Sequence, residues 1–191
     1  VAKGLNFPGV DLVGIVLADS ALHLPDFRAQ ERTFSLILQV SGRSGRFSND
    51  GKVVVQTYRP DNSAVRLGAA GDIEQFCEQE LAMRRMTGFP PYTRLSRLVF
   101  RSKDKKKVEK TADQADKILH RIISGIDCPS DQKAEILGPA ECPLAKISGN
   151  FRWQIIIRSV SFPILRLVTA SFMNQVKPVG GTFIEVDIDP V

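Results

Sequence analysis

Residues 39–46 read QVSGRSGR, a QxxGRxGR pattern, and two of its arginines, Arg43 and Arg46, are of a type that can stabilise a phosphoryl transfer. During that transfer charge spreads over the γ-phosphate oxygens, and an arginine delivered from outside the phosphate-binding lobe neutralises it. A planar guanidinium engages two phosphate oxygens at once, which a lysine ammonium cannot do. Gly42 and Gly45 let the backbone turn sharply and leave room for a nucleotide to approach. Average residue usage makes a chance match in a chain of this length about one in ten thousand. The alternative reading is a glycine loop after a helix with two surface arginines.

The elements that must hold this pattern are α/β. Leu12 to Ala18 is a nearly continuous apolar run, expected as a strand buried on both faces of a parallel sheet. Asp26 is placed to cap a helix from Phe27 to Ser41, with Phe34, Ile37 and Leu38 inward and Gly42 as its stop. Lys52 to Thr57 forms the next strand, and strand–helix–strand is a crossover unit of a parallel sheet. A connecting helix is expected over Ala64 to Thr87, with Ile73, Phe76, Cys77, Glu80 and Leu81 on one side. Residues 88–92, GFPPY, then break it.

Beyond the break the periodicities give a strand at Leu95–Arg101 and a helix at Lys106–Ser124, then a short strand at Ala134–Gly138 bounded by prolines. A strand at Phe151–Arg158, a helix at Phe162–Val176 and a strand at Thr182–Ile188 follow. The order βαββαβ is the ferredoxin-like arrangement. The expected division is residues 1–70, the end of a parallel-sheet domain, and 71–191, an α+β sandwich.

The chain has 191 residues and a formal charge of +5, with 43% hydrophobic and 25% charged residues, ordinary for a soluble globular protein. No apolar run reaches the roughly 18 residues of a membrane span, so no membrane partner is expected. Cys77, Cys128 and Cys142 are far apart and lack paired spacing, which argues against a disulfide framework or a zinc site in these residues and fits a reducing cytoplasm. His23 and His120 stand alone and are read as surface or packing residues. With Val1 rather than Met at its start, the chain reads as an excised piece.

Charge is concentrated. Between Arg84 and Lys110 ten Lys or Arg face only Asp104 and Glu109. A polyanion such as nucleic acid suits that segment; for Lys103 to Lys107 a solvated, lysine-rich turn is the other reading. Arg152 with Arg94, Arg97, Arg101 and Arg158 could form a basic face on strands, beside Trp153 as a stacking platform. Alternation instead points Trp153 inward with Ile155 and Ile157, and leaves Arg152, Gln154 and Arg158 outward.

The QxxGRxGR pattern resembles motif VI of superfamily 2 helicases, and residues 3–10, KGLNFPGV, resemble motif V in the form seen in the PriA family of bacterial replication-restart helicases. Similarity to that family continues through PDFRAQER (25–32), FCEQEL (76–81), GFPPY (88–92), LGPA (137–140), FRWQ (151–154) and VDIDP (186–190). The resemblance implies the C-terminal part of a RecA-like second helicase lobe followed by the family's C-terminal domain. It implies that Arg43 and Arg46 are finger arginines, and that Gln39, Gly42 and Gly4 lie on the ATP side of the cleft. By the resemblance Lys3 and Asn6 are placed against the DNA backbone; Arg152, Lys105, Lys106 and Lys107 are candidates for further DNA contacts on their charge and position alone. Arg158 and Arg166 are candidates for docking the acidic tail of single-stranded DNA-binding protein.

The phosphate loop, the acidic Mg²⁺ motif and the paired-cysteine zinc module of that family lie upstream of the matched motifs. ATP and Mg²⁺ are therefore expected to be bound mainly by another lobe, zinc elsewhere in the parent protein, and the isolated segment is expected to be inactive. Forked and single-stranded DNA, single-stranded DNA-binding protein and other primosome proteins are the implied partners, in a bacterial cytoplasm at the nucleoid. Two other readings of the residues stand beside it. One is a ferredoxin-like nucleic-acid-binding module; the other is a small enzyme whose arginines hold a phosphorylated metabolite.

Overall fold

The structure is a computed structural model that describes residues 12–41 and 52–190. The chain divides into two compact units, residues 1–86 and 87–191. The division falls later than the expected boundary near residue 70, because the helix after that point packs on the first unit: Phe76 lies flat on Phe34, with ring centroids 3.9 Å apart.

In the first unit, β1 (Leu12–Ile15) and β2 (Lys52–Val55) pair in parallel, in the register Leu12↔Lys52 to Ile15↔Val55. Between them runs α1 (Ala29–Ser41), entered through Asp26, whose carboxylate accepts the Arg28 N–H at 2.9 Å. Two further helices follow, α2 (Ser63–Ala70) and α3 (Ile73–Thr87). Ile37 and Val40 of α1 and Val65 of α2 close over Ile15, Val13, Val53 and Val55. The strands are thus covered on one face rather than the expected two, and Leu12 and Val54 stay exposed among the described residues.

The connecting helix expected as one piece is two. Gly71 sits at φ +71°, a left-handed conformation that suits glycine, and ends α2; Asp72 then accepts the Gln75 N–H at 3.0 Å and starts α3. Of the expected inward face of α3, Phe76 alone is buried; Ile73, Cys77 and Leu81 are exposed.

In the second unit a four-stranded antiparallel sheet has the order β4-β5-β3-β6. Its strands are β3 (Arg94–Ser102), β4 (Glu135–Ile147), β5 (Asn150–Ser159) and β6 (Phe183–Ile188). Two helices, α4 (Lys105–Ser124) and α5 (Phe162–Gln175), connect them as β3-α4-β4-β5-α5-β6. Val108, Ala112, Ala115 and Leu119, spaced by four, three and four, turn one stripe of α4 onto Leu98, Phe100, Ile155 and Ile157. Leu165, Val168 and Phe172 of α5 complete that core. Burying each such side chain contributes roughly 1.5–3 kcal/mol.

β4 runs well past the expected stop at Gly138 and continues through Pro139 and Pro143. It is an edge strand, so the N–H that proline lacks is not needed by a neighbour, and register shifts against β5 absorb the irregularity. None of the described helices is long and apolar enough to cross a membrane.

Candidate functional site

Of the expected nucleotide-facing residues in the first unit, Gln39 is the one among the described residues. It lies in the last turn of α1 and is exposed, while its neighbours Ile37 and Val40 are buried. Gly42, Arg43 and Arg46 follow directly in sequence; they, with Lys3, Gly4 and Asn6, lie outside the described residues. The structure describes how α1, the helix that precedes Gly42 in sequence, is held. Phe34 of α1 stacks on Phe76 of α3 within 2° of parallel. One turn toward the start of α1, Glu31 accepts from Arg84 of α3 at 2.7 Å, and Glu80 accepts from the same guanidinium at 2.8 Å. Burial acts against the charge on Arg84, but the hydrogen bonds it donates to Glu31 and Glu80 outweigh that and raise its pKa.

A second clamp fixes the strand ends. The Asp19 carboxylate is 1% exposed and accepts the Thr57 hydroxyl at 2.6 Å and the Tyr58 N–H at 2.7 Å. Those two bonds hold its pKa below the usual carboxylate value. The sequence could not reveal this clamp, because the partners of Asp19 are 38 and 39 residues away.

In the second unit the helices cover one face of the sheet, and the other carries alternating charge rather than a basic surface. Arg97 pairs with Asp187 at 2.9 Å and Arg101 with Glu185 at 2.6 Å, both across β3 and β6, while Arg94 pairs with Asp189 just past β6. Arg158 pairs with Glu135 at 2.6 Å, and Lys105 with Glu141 at 2.9 Å. Arg84, Arg94, Arg97, Arg101 and Lys105, half of the basic segment's ten Lys and Arg, are therefore matched by carboxylates. The acids paired in the second unit come from β4 and from β6 or just past it, too far along the chain to be read as partners.

Arg152 differs. It faces Arg101 in the β3–β5 register, is half-buried, and makes no ion pair among the described residues. Beside it the Cys142 thiol is buried, and burial pushes its pKa up against the opposing pull of Arg152 and Arg97. Trp153 packs against the helix-side core, in keeping with the alternation.

Lys105, Lys106 and Lys107 occupy the first turn of α4, where Asp104 accepts the N–H groups of Lys106 and Lys107. The positive end of a helix dipole disfavours cations there by roughly 0.3–1 kcal/mol each. Helix stability thus does not account for three lysines at that place. Lys106 and Lys107 are exposed and make no ion pair among the described residues. Arg166 is exposed on α5. Arg158, by contrast, donates to the carbonyls of Thr87 and Gly88 as well as to Glu135, so its guanidinium is engaged in holding the loop at the start of the unit.

The profile of the family described as primosomal protein N C-terminal domain matches residues 85–191. The replication restart protein PriA of Treponema pallidum is 44% identical over all 191 residues, which cover 28% of that relative. The PriA of Bacillus subtilis is 42% identical over 158 residues, 83% of this chain and 19% of that protein. The PriA of Synechocystis is 32% identical over the whole chain, covering 22% of the relative. The chain thus spans less than a third of these curated relatives. With the family profile on the second unit and PriA identity running through both, this chain belongs to the PriA family and carries its primosomal protein N C-terminal domain.

Proposed function

We propose that the chain contributes the arginine-bearing half of the ATP site and the fork-binding domain of a DNA helicase that restarts replication by primosome assembly. The observation that carries this reading is the Gln39–Arg46 pattern, which begins in the last turn of α1, in a chain that aligns with PriA proteins over its whole length. In this reading the first unit is the end of a RecA-like second lobe, and the parallel β1–α1–β2 crossover supports it. The second unit is a ferredoxin-like sandwich, supported by its βαββαβ order and interleaved antiparallel sheet.

ATP with Mg²⁺ supplies the γ-phosphoryl group, held mainly by the helicase's first lobe. Gln39, Gly42 and Gly4 line the near side, and the guanidiniums of Arg43 and Arg46 stabilise the charge on the transferring oxygens. Lys3 and Asn6 hold the DNA backbone. Zinc belongs to another part of the parent protein, and no residue of this chain is proposed as its ligand. Arg152, Lys105, Lys106 and Lys107 contact forked or single-stranded DNA in the second unit. Arg166, with the loop that Arg158 holds, faces the acidic tail of single-stranded DNA-binding protein and other primosome proteins. The setting is the bacterial cytoplasm at the nucleoid.

Fluorescence anisotropy with forked and single-stranded DNA at several salt concentrations tests the DNA half. Salt-sensitive binding that favours the fork is expected. Equal affinity for all DNA structures, or none at low salt, would remove fork recognition from this chain.

A further inference from the structure

One end of the second unit's sheet differs from the rest of its helix-free face. Arg152, Arg101 and Phe183 stand in one row across β5, β3 and β6, because Arg101 is the register partner of both others. The adjacent row of Trp153, Phe100 and Ile184 turns to the helices and joins the core. Alternation therefore turns Arg152, Arg101 and Phe183 to the open face. Farther along that face the arginines are matched, Arg97 by Asp187 and Arg158 by Glu135. At this end Glu185 holds Arg101, while Arg152 makes no ion pair among the described residues.

Phe183 is 62% exposed. A single exposed hydrophobe is ordinary on a protein surface, but the setting of this ring is not. The Arg101 guanidinium lies over it, 5.4 Å from the centroid, and is itself fixed by the Glu185 carboxylate at 2.6 Å. A ring held by such a cation loses little freedom when a flat ligand stacks on it. β3 then leaves the row directly into the basic turn. Lys103 follows Ser102, and Lys106 and Lys107 stand in the first turn of α4; all three are exposed and make no ion pair among the described residues. Arg152 lies two strand spacings from Phe183, about 10 Å. An aromatic face with free cations around it is the composition of a single-strand site, in which bases stack and flanking phosphates are neutralised.

We propose that Phe183 is a base-stacking residue for single-stranded DNA, with Arg101 backing its ring and Arg152 taking a flanking phosphate. The proposal rests on the DNA-binding reading of the second unit and deepens it. The lysines attract any phosphate backbone, whereas Phe183 selects an unpaired base, since the faces of paired bases are hidden in the duplex stack. Trp153, the aromatic that the sequence suggested for this role, is packed into the core.

The test uses the full 191-residue chain and fluorescence anisotropy with labelled probes of equal length: oligothymidylate, a strand abasic throughout, and a duplex. Phe183→Leu is expected to weaken oligothymidylate binding by about five- to a hundredfold and to leave the abasic and duplex affinities unchanged. Phe183→Trp keeps wild-type affinity or exceeds it, and its emission is quenched by oligothymidylate but not by the abasic strand. Arg152→Gln weakens binding of oligothymidylate and the abasic strand alike, because it acts on phosphate. Melting temperatures stay near wild type, since Phe183 is mostly exposed and Arg152 makes no ion pair among the described residues. Wild-type oligothymidylate affinity in Phe183→Leu, or a loss shared with the abasic strand, would overturn the stacking role. The double variant Lys106→Ala, Lys107→Ala is run alongside. If it binds every probe more weakly while Phe183→Leu behaves as wild type, only the stacking fails. If the wild-type chain binds no probe at low salt, the reading beneath it fails.

Discussion

The guanidinium of Arg158, near the end of β5, donates to the carbonyl of Gly88, 3.2 Å away and 70 residues earlier in the chain. The Thr93 hydroxyl donates to the same carbonyl at 2.9 Å. Gly88 has φ +64°, and a Cβ there would stand 3.0 Å from the Arg158 Nη1. The residue thus meets two requirements, a left-handed backbone and room for an arginine against it.

Gly88→Ala is accordingly expected to destabilise the chain by roughly 1–2 kcal/mol from the backbone conformation, with a further loss as Arg158 is displaced. Chemical denaturation checks this. An unchanged midpoint would mean that the loop relaxes freely and that Arg158 does not depend on it.

Asp19 gives a pH signature. Its folded pKa is depressed by the Thr57 hydroxyl and the Tyr58 N–H, so between its folded and unfolded values the unfolded state binds more protons and stability rises with pH. The contribution is fully present above the ordinary carboxylate value of about 3.9 and is lost as pH falls through the lower folded value. Melting temperatures of wild type and Asp19→Asn are expected to differ at neutral pH and to converge below about pH 4. A difference that is constant with pH would contradict the ionised clamp.

In the proposed reading Lys106 and Lys107 are a general electrostatic attractor for DNA. Replacing both with alanine is expected to weaken binding to every DNA structure alike and to reduce the salt slope by about one for each phosphate no longer neutralised. Lys105→Ala has the smaller effect, because Lys105 is tied to Glu141 and Glu109. Anisotropy titrations on forked, duplex and single-stranded DNA decide it; a weakening confined to one structure would show specific recognition instead.

Much of the second unit was legible because its helices announce themselves. The four–three–four spacing of Val108, Ala112, Ala115 and Leu119, and the Leu165, Val168, Phe172 stripe, are local patterns that the core uses directly. The long β4 was not legible, since Pro139 and Pro143 are stop signals unless the strand is known to lie at an edge. Nor was the break at Gly71, because the apolar residues on either side keep a helical spacing across it.

For the site, residue type and spacing picked out the Gln39–Arg46 pattern without any tertiary information. They could not show that Arg94, Arg97 and Arg101 are matched by Asp189, Asp187 and Glu185, because those partners arrive only when β6 pairs with β3 some 90 residues later. Nor could they show that Arg84 reaches Glu31, an interaction between two helices separated by a strand and a third helix.

The central claim is that Arg43 and Arg46 act on the transferring phosphoryl group. Steady-state, DNA-dependent ATP hydrolysis by full-length PriA carrying Arg43→Ala or Arg46→Ala measures it most directly. Turnover is expected to fall by about 10³-fold or more, the scale of an arginine finger, with fork affinity retained. Wild-type turnover in both variants would contradict the account.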